Sequence, residues 1–260
     1  MASRCMCLRV FVGSTLLVFA VVCVAPLIAL AWRAVRDSEG FSLDAYGEVL
    51  SEPRQWMLLA NSLLISLGTA FASLFLGGGA ALALQYCPRF LREVLAVLLC
   101  LPLLMPPYVF AVAWIDAMTR LGLLTPQFIA ETVISHSFGI PSVIAIAALS
   151  YYPIVLLFTG VALRRFDRRM LESARLIADP LQAFFAVRLP LCAPWVFTGA
   201  GFVFLLALTG FSVPALFQVN VYPVEIFTEL SAFQEVGRAV AHMLPLLLTG
   251  GIVVWAWRAW

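Results

Sequence analysis

Apolar positions in this chain fall in long uninterrupted runs, not at the alternating spacing of strands or on the single stripe of a soluble helix. Six runs stand out, at about Val10 to Trp32, Met57 to Leu84, Val94 to Ile115, Pro141 to Leu163, Leu191 to Phe217 and Ala239 to Trp257. A helix rises about 1.5 Å per residue, so each run is long enough to cross a hydrocarbon core of about 30 Å. The pattern predicts an all-α, polytopic membrane protein with six transmembrane helices. A β-barrel would need period-two alternation, which is absent. Composition agrees: 63% of the 260 residues are hydrophobic, 12% are charged, and the mean hydropathy is +1.01.

Arginine supplies all 16 basic residues, so its placement carries the orientation signal. With the N-terminus inside, Arg4, Arg9, Arg89, Arg92, Arg164, Arg165, Arg168, Arg169, Arg175, Arg188 and Arg258 are cytoplasmic, while only Arg33, Arg36, Arg54, Arg120 and Arg238 lie outside. Both termini are therefore expected in the cytoplasm of a cell whose inner, or plasma, membrane holds the protein. The first run follows Arg4 and Arg9 and ends near Ala29-Leu30-Ala31, which resembles the small-residue cleavage site of a signal peptide. It exceeds the roughly 7 to 15 residues of a signal h-region, and an uncleaved first helix is expected. The arginines sit in juxtamembrane clusters and the net charge is only +2, which points to membrane lipid and away from nucleic acid. The six cysteines include no CxxC, so neither a disulfide framework nor a metal site is expected, and no cofactor motif appears.

Several runs carry helix-breaking residues. Pro102, Pro106 and Pro107, the last followed by Tyr108, remove backbone donors within the third run, where a kink or a break is expected. Broken backbone at membrane depth is tolerated where it is buried in protein or lines a cavity, so a translocation path and a packed kink are both open readings. Tyr151-Tyr152-Pro153 and Phe211-Ser212-Val213-Pro214 raise the same question. Gly68 and Gly77-Gly78-Gly79 read as small residues that let helices approach. No carboxylate or histidine pair sits well inside a run: Asp116 is placed at an outer helix end, and His242 opens the sixth run as a satisfied interfacial residue. A proton relay lacks its groups, and no hydrolase, zincin or P-loop motif is present, so the chain is not expected to be an enzyme.

The longest cytoplasmic segment, Arg164 to Pro190, reads as two short helices. Asp179 caps the second, Pro180 takes its first position, and Gln182 completes a capping-box pattern. Leu181, Phe184, Phe185 and Leu189 then form an apolar stripe. That stripe packs either on the protein's own helices and the headgroups or in a groove of a soluble partner.

"ESARLIADPLQAFFAVRLPL" resembles the EAA loop of ATP-binding-cassette (ABC) importer permeases, matching at Glu172, Ala174, Leu189 and Pro190. Ser173 stands where the pattern has alanine, and the glycine of the pattern is missing, leaving Ala178 and Asp179 to make the bend. "NSLLISLGTA", "LPLLMPPYVFAVAW" and "FLLALTGFSVPALF" follow, in order, the run of the iron(III)-type permeases, over about Phe41 to Leu248. The resemblance implies a single permease domain, 1–260, with a core at 41–248 and a coupling loop at 164–190. It implies a periplasmic substrate-binding protein outside and a cytoplasmic ABC ATPase gripping Glu172 to Pro190, with Glu172 and Arg175 as polar contacts and Phe184 and Phe185 as anchors. A path lined by Pro106, Pro107, Tyr108, Phe211, Ser212 and Pro214 is expected, with ferric iron as cargo and polyamine, thiamine or sulfate next. Because such permeases are usually double-length, a second half is expected: another copy, a separate chain or a C-terminal repeat. The rival reading is a gradient-driven secondary transporter or channel, which would call for intramembrane charge or inverted repeats.

Overall fold

The computed structural model describes residues 12–15, 17–26, 28–29, 32, 36–37, 40–41, 47, 51–124, 139–165 and 189–258. Its helices are α1 (Pro53–Ala83, with a 3-10 turn Leu84–Tyr86), α2 (Arg89–Cys100, with a 3-10 turn Leu101–Leu104) and α3 (Pro107–Leu124). Then come α4 (Ile140–Arg165), α5 (Leu189–Thr209), α6 (Ser212–Leu216), α7 (Tyr222–Thr228, with a π turn Glu229–Phe233) and α8 (Val236–Arg258). Among the described residues four helices are long and apolar enough to cross a membrane: Pro53–Tyr86, Ile140–Arg164, Leu189–Thr209 and Val236–Arg258. A fifth crossing is made if Arg89–Leu104 and Pro107–Leu121, bent by 90°, count as one. The first expected span is described only in part, with Val12–Val24 as an apolar helix.

Contacts divide the chain into two units. The larger comprises 56–224 and 245–260. Here α1 is patterned inside out: Ser62, Ser66, Thr69 and Ser73 are buried, while Leu64, Leu67, Phe71 and Phe75 are exposed. In water this arrangement would expose the apolar face, whereas in lipid it sends small residues to the helix interface and greasy ones to the solvent. The buried hydroxyls make local bonds where they can, as Ser66 Oγ donates to the Ser62 carbonyl at 2.6 Å. Small size at this face allows contact close to the backbone. A Cβ on Gly77 would stand 2.8 Å from the Leu156 nitrogen and 2.9 Å from Val155 Cβ, and one on Gly199 3.2 Å from Val155 Cα. Helix α4 is thus seated between α1 and α5, and Ala70, Val155, Val203, Phe204 and Leu208 form the core layer they share. Gly78 and Gly79 face open space. The close approach expected of the glycine run belongs to its first member and to Gly68, whose Cβ would meet Ile144.

The smaller unit comprises 1–55 and 225–244. Two-residue strands Arg36–Asp37 and Gly40–Phe41 pair antiparallel within it. Arg54 is bonded to Glu225 at 2.9 Å, and Arg238 approaches Glu235 at 3.7 Å and Glu52 at 3.9 Å. His242 is buried, with Nδ1 2.7 Å from the Arg238 carbonyl and Nε2 3.1 Å from the Gln55 amide nitrogen. A carbonyl only accepts, so Nδ1 carries the proton and Nε2 accepts from the Gln55 amide.

Candidate functional site

Two interruptions of membrane helices meet at one place in the larger unit. In the first, Pro106 and Pro107 lack N–H groups, and a residue before proline is driven from helical to extended backbone. Met105 is extended (φ −97°, ψ 131°). The Met105 N–H turns back to the Pro102 carbonyl at 3.2 Å, closing the 3-10 turn, and Val109 bonds the Pro106 carbonyl at 3.0 Å to start α3. Pro107 takes the first helical position, where its missing donor costs nothing. The outcome is the 90° bend. In the second, α5 ends at Thr209, and Gly210 and Phe211 precede the short α6, which Gln218 terminates in a left-handed conformation (φ 53°).

Between these breaks lies a cavity of about 20 Å³ lined by Ile65, Pro107, Val143, Tyr151, Ser212 and Pro214, among others. That is room for about one water. Three of the six expected path residues, Pro107, Ser212 and Pro214, are therefore brought together. Pro106, Tyr108 and Phe211 do not line the cavity; Tyr108 and Phe211 are exposed. Gly210 and Val213 belong to the second break and line the cavity too, while Ile65, Val143, Ala147 and Ala207 complete the wall and escaped notice in the sequence because ordinary apolar residues at helix interfaces carry no local signal. Tyr151 was one of the flagged residues, but Pro153 beside it does not break the chain: it is fully buried within continuous α4.

The segment Asn220 to Tyr222 is tied to α1 by two bonds. Ser62 Oγ accepts the Tyr222 N–H at 3.1 Å, and Asn61 donates its amide to the Asn220 carbonyl at 2.9 Å. Burial pushes the Tyr222 phenol above the usual tyrosine range. Asp116, expected at a helix end, lies within α3 instead and bonds Arg120 one turn on at 2.8 Å, an i,i+4 pair compatible with a continuing helix.

Glu172, Ser173, Ala174, Arg175, Ala178, Asp179, Pro180, Phe184 and Phe185 lie outside the described residues. The flanks are described. α4 ends at Arg165, and Leu189 and Pro190 are the first two residues of α5, so they open a membrane helix and do not close a loop helix. Because Gly199 sits against Val155 and Phe158, Arg165 and Leu189 lie about 10 and 15 Å beyond that contact on the same side. The two helix ends that flank the segment thus lie at one end of a packed helix pair.

The chain is similar to several known transport permeases. The chain is 30% identical over 218 residues to the molybdenum transport system permease protein ModB of Mycobacterium bovis, covering 78% of this chain and 81% of that one. It is 25% identical over 242 residues to the putative 2-aminoethylphosphonate transport system permease protein PhnU of Salmonella choleraesuis, covering 89% and 84%. With the putrescine transport system permease protein PotI of Escherichia coli it shares 30% over 198 residues, covering 71% and 66%. Among solved structures, a bacterial ABC transporter importing the acidic polysaccharide alginate superposes with a TM-score of 0.73 at 14% identity, covering 98% and 94%, and the MetNI methionine ABC transporter with 0.60 at 17%, covering 80% and 96%. These last two show the fold. The family described as the binding-protein-dependent transport system inner membrane component matches residues 73–256, and with this match the chain belongs to that family of multi-pass ABC importer permeases.

Proposed function

We propose that the chain is one half of the membrane pathway of an ATP-driven importer, a single domain over 1–260 in which the two helix breaks gate a small solute. The observation that carries this reading is the convergence of Pro107 with Ser212 and Pro214 on one cavity. In lipid, backbone that leaves helical geometry has to be buried or line a cavity, and here two such places share one. A void of about 20 Å³ admits no cargo, so the described arrangement corresponds to a closed path.

A binding protein delivers cargo to the outer face, and a cytoplasmic ATPase takes hold of Glu172 to Pro190, with both termini on that side. The position of the flanking helix ends supports such a handle, because α4 and α5 are packed closely enough to transmit a push. A second half, from another copy, a separate chain or a further repeat, completes the pathway. For cargo, the relatives named above transport molybdenum, 2-aminoethylphosphonate or putrescine, and the likeness to the molybdenum permease supports a small oxyanion ahead of ferric iron. The test is ATPase stimulation in liposomes holding this chain, its second half and its ATPase, with candidate binding proteins loaded with molybdate, 2-aminoethylphosphonate, putrescine or ferric iron. Stimulation by molybdate is the expected result. Stimulation by none, with uptake driven instead by an ion gradient, would favour the secondary-transporter reading.

A further inference from the structure

Far from the breaks, at the other end of the same helices, a second cavity of about 200 Å³ is lined by Leu84, Gln85, Arg92, Leu156, Val161 and Arg164, among others. It shares no wall with the first: Ile65 and Leu84 are about 28 Å apart along α1. Its position is set by three helix ends. The end of α1, the start of α2 and the end of α4 meet there, so it sits where membrane helices emerge into the headgroup layer.

Two guanidinium groups bound this space. Arg92 is half-buried, and its Nε is buried with no hydrogen-bond partner among the described residues. The nearest acidic neighbour in sequence, Glu93, is already bonded to Arg89 at 3.3 Å. Arg164 is exposed and makes no ion pair among the described residues. A buried donor without a partner is costly, so the geometry calls for an acceptor that arrives from outside the chain. Guanidinium forks match phosphate oxygens in bidentate fashion, and the Gln85 side-chain amide adds a neutral donor to the same wall.

The remaining wall identifies the carrier of that phosphate. Leu157 and Val161 also line the cavity, yet they are 48% and 42% exposed, so the polar recess opens onto a lipid-facing apolar surface. A free anion has no use for that surface, whereas a diacyl lipid lays its chains along it. Basic recesses between membrane helices at the headgroup level are known to hold anionic lipid heads. We infer that this recess is a binding site for the phosphate head of an anionic phospholipid, held by Arg92 and Arg164 against the ends of α1, α2 and α4. The inference does not depend on the cargo or on the ATPase.

The experiment is native mass spectrometry of the full chain in detergent, titrated with phosphatidylglycerol, phosphatidylcholine or inorganic phosphate. Wild type is expected to hold one phosphatidylglycerol more tightly than phosphatidylcholine. Each of Arg92→Gln and Arg164→Gln weakens that binding about fivefold, as loss of one basic group at a membrane surface does. Arg92→Lys keeps the charge but loses the fork, so it binds less tightly than wild type and more tightly than Arg92→Gln, and Arg89→Gln, outside the recess, leaves binding unchanged. Because Arg164 is exposed, Arg164→Gln keeps the fold even if Arg92→Gln does not. Equal binding of the two lipids by wild type, or unchanged phosphatidylglycerol binding in Arg164→Gln, overturns the proposal. Inorganic phosphate that binds wild type while phosphatidylglycerol does not overturns it in favour of a soluble anion.

Discussion

Replacing Gly77 by Ala adds one methyl group to a face where backbone stands at van der Waals distance. The new Cβ would be 2.8 Å from the Leu156 nitrogen and 2.9 Å from Val155 Cβ, with the Tyr152 carbonyl closer still. None of these atoms is the free end of a flexible side chain, so relief requires α1 and α4 to separate by several tenths of an ångström along the layer that also holds Val203 and Phe204. Overpacking of this kind costs about 1–3 kcal/mol. Alanine in place of glycine within a helix returns about 1 kcal/mol, leaving a net loss of up to about 2 kcal/mol. The adjacent glycines are the control, since nothing lies within 4 Å of a Cβ on Gly78 or Gly79. Those alanine variants gain only the helix term. The assay is thermal unfolding of purified protein in one detergent, followed by loss of the monodisperse gel-filtration peak. For a chain of this size the midpoint of Gly77→Ala falls by up to roughly 8 °C, while Gly78→Ala and Gly79→Ala hold or rise slightly. Equal midpoints for all three would refute the argument that α1 and α4 meet at Gly77.

Ser62→Ala removes the acceptor of the Tyr222 N–H and lowers stability by about 1–3 kcal/mol, whereas Ser62→Thr, which keeps an oxygen, loses less; thermal unfolding reads both. A bulky residue at Ser212 fills the closed cavity and abolishes uptake while membrane insertion, read by fractionation, is unchanged; normal uptake would reduce both breaks to packing kinks. Glu172→Lys releases the ATPase in pull-down and stops transport together, and wild-type behaviour in both would leave Glu172 to Pro190 a solvated connector. A cysteine at Ser38 reacts with an impermeant thiol reagent from outside and one at Asp167 only from inside; the reverse pattern overturns the orientation.

The spans were legible because a bilayer demands long apolar runs, and runs are a property of sequence alone. Met57 to Leu84 thus became a helix from Pro53 to Tyr86, and Ala239 to Trp257 one from Val236 to Arg258. What proline does inside a run was not legible. Pro106-Pro107 and Pro153 each delete a donor, yet one place bends by 90° and the other stays helical. Two consecutive prolines force Met105 out of the helix, while Pro153 lies in α4 where the approaches of Gly77 and Gly199 to its neighbour Val155 hold the helix in place. That difference comes from packing partners distant in sequence. For the same reason a count of glycines could not tell Gly77 from Gly78. The segment Glu172 to Pro190 carries a local pattern that resembles a family motif, but of it only Leu189 and Pro190 are described, with Pro190 inside the first turn of α5.

The contact of Val155 with both Gly77 and Gly199 has a mechanical meaning. Helices that touch through side chains can slide by exchanging rotamers, but helices in contact this close to the backbone cannot slide without first moving apart. The α1, α4 and α5 layer therefore behaves as a stiff post. Freedom is left to the two joints, at Met105–Pro107 and Gly210–Phe211, which carry α3 and α6 as jointed arms. The width of any opening between those arms is then set by the angles of two short peptide segments, so a pull applied at the far end of α4 and α5 would act as a lever on joints and not as a piston on helices.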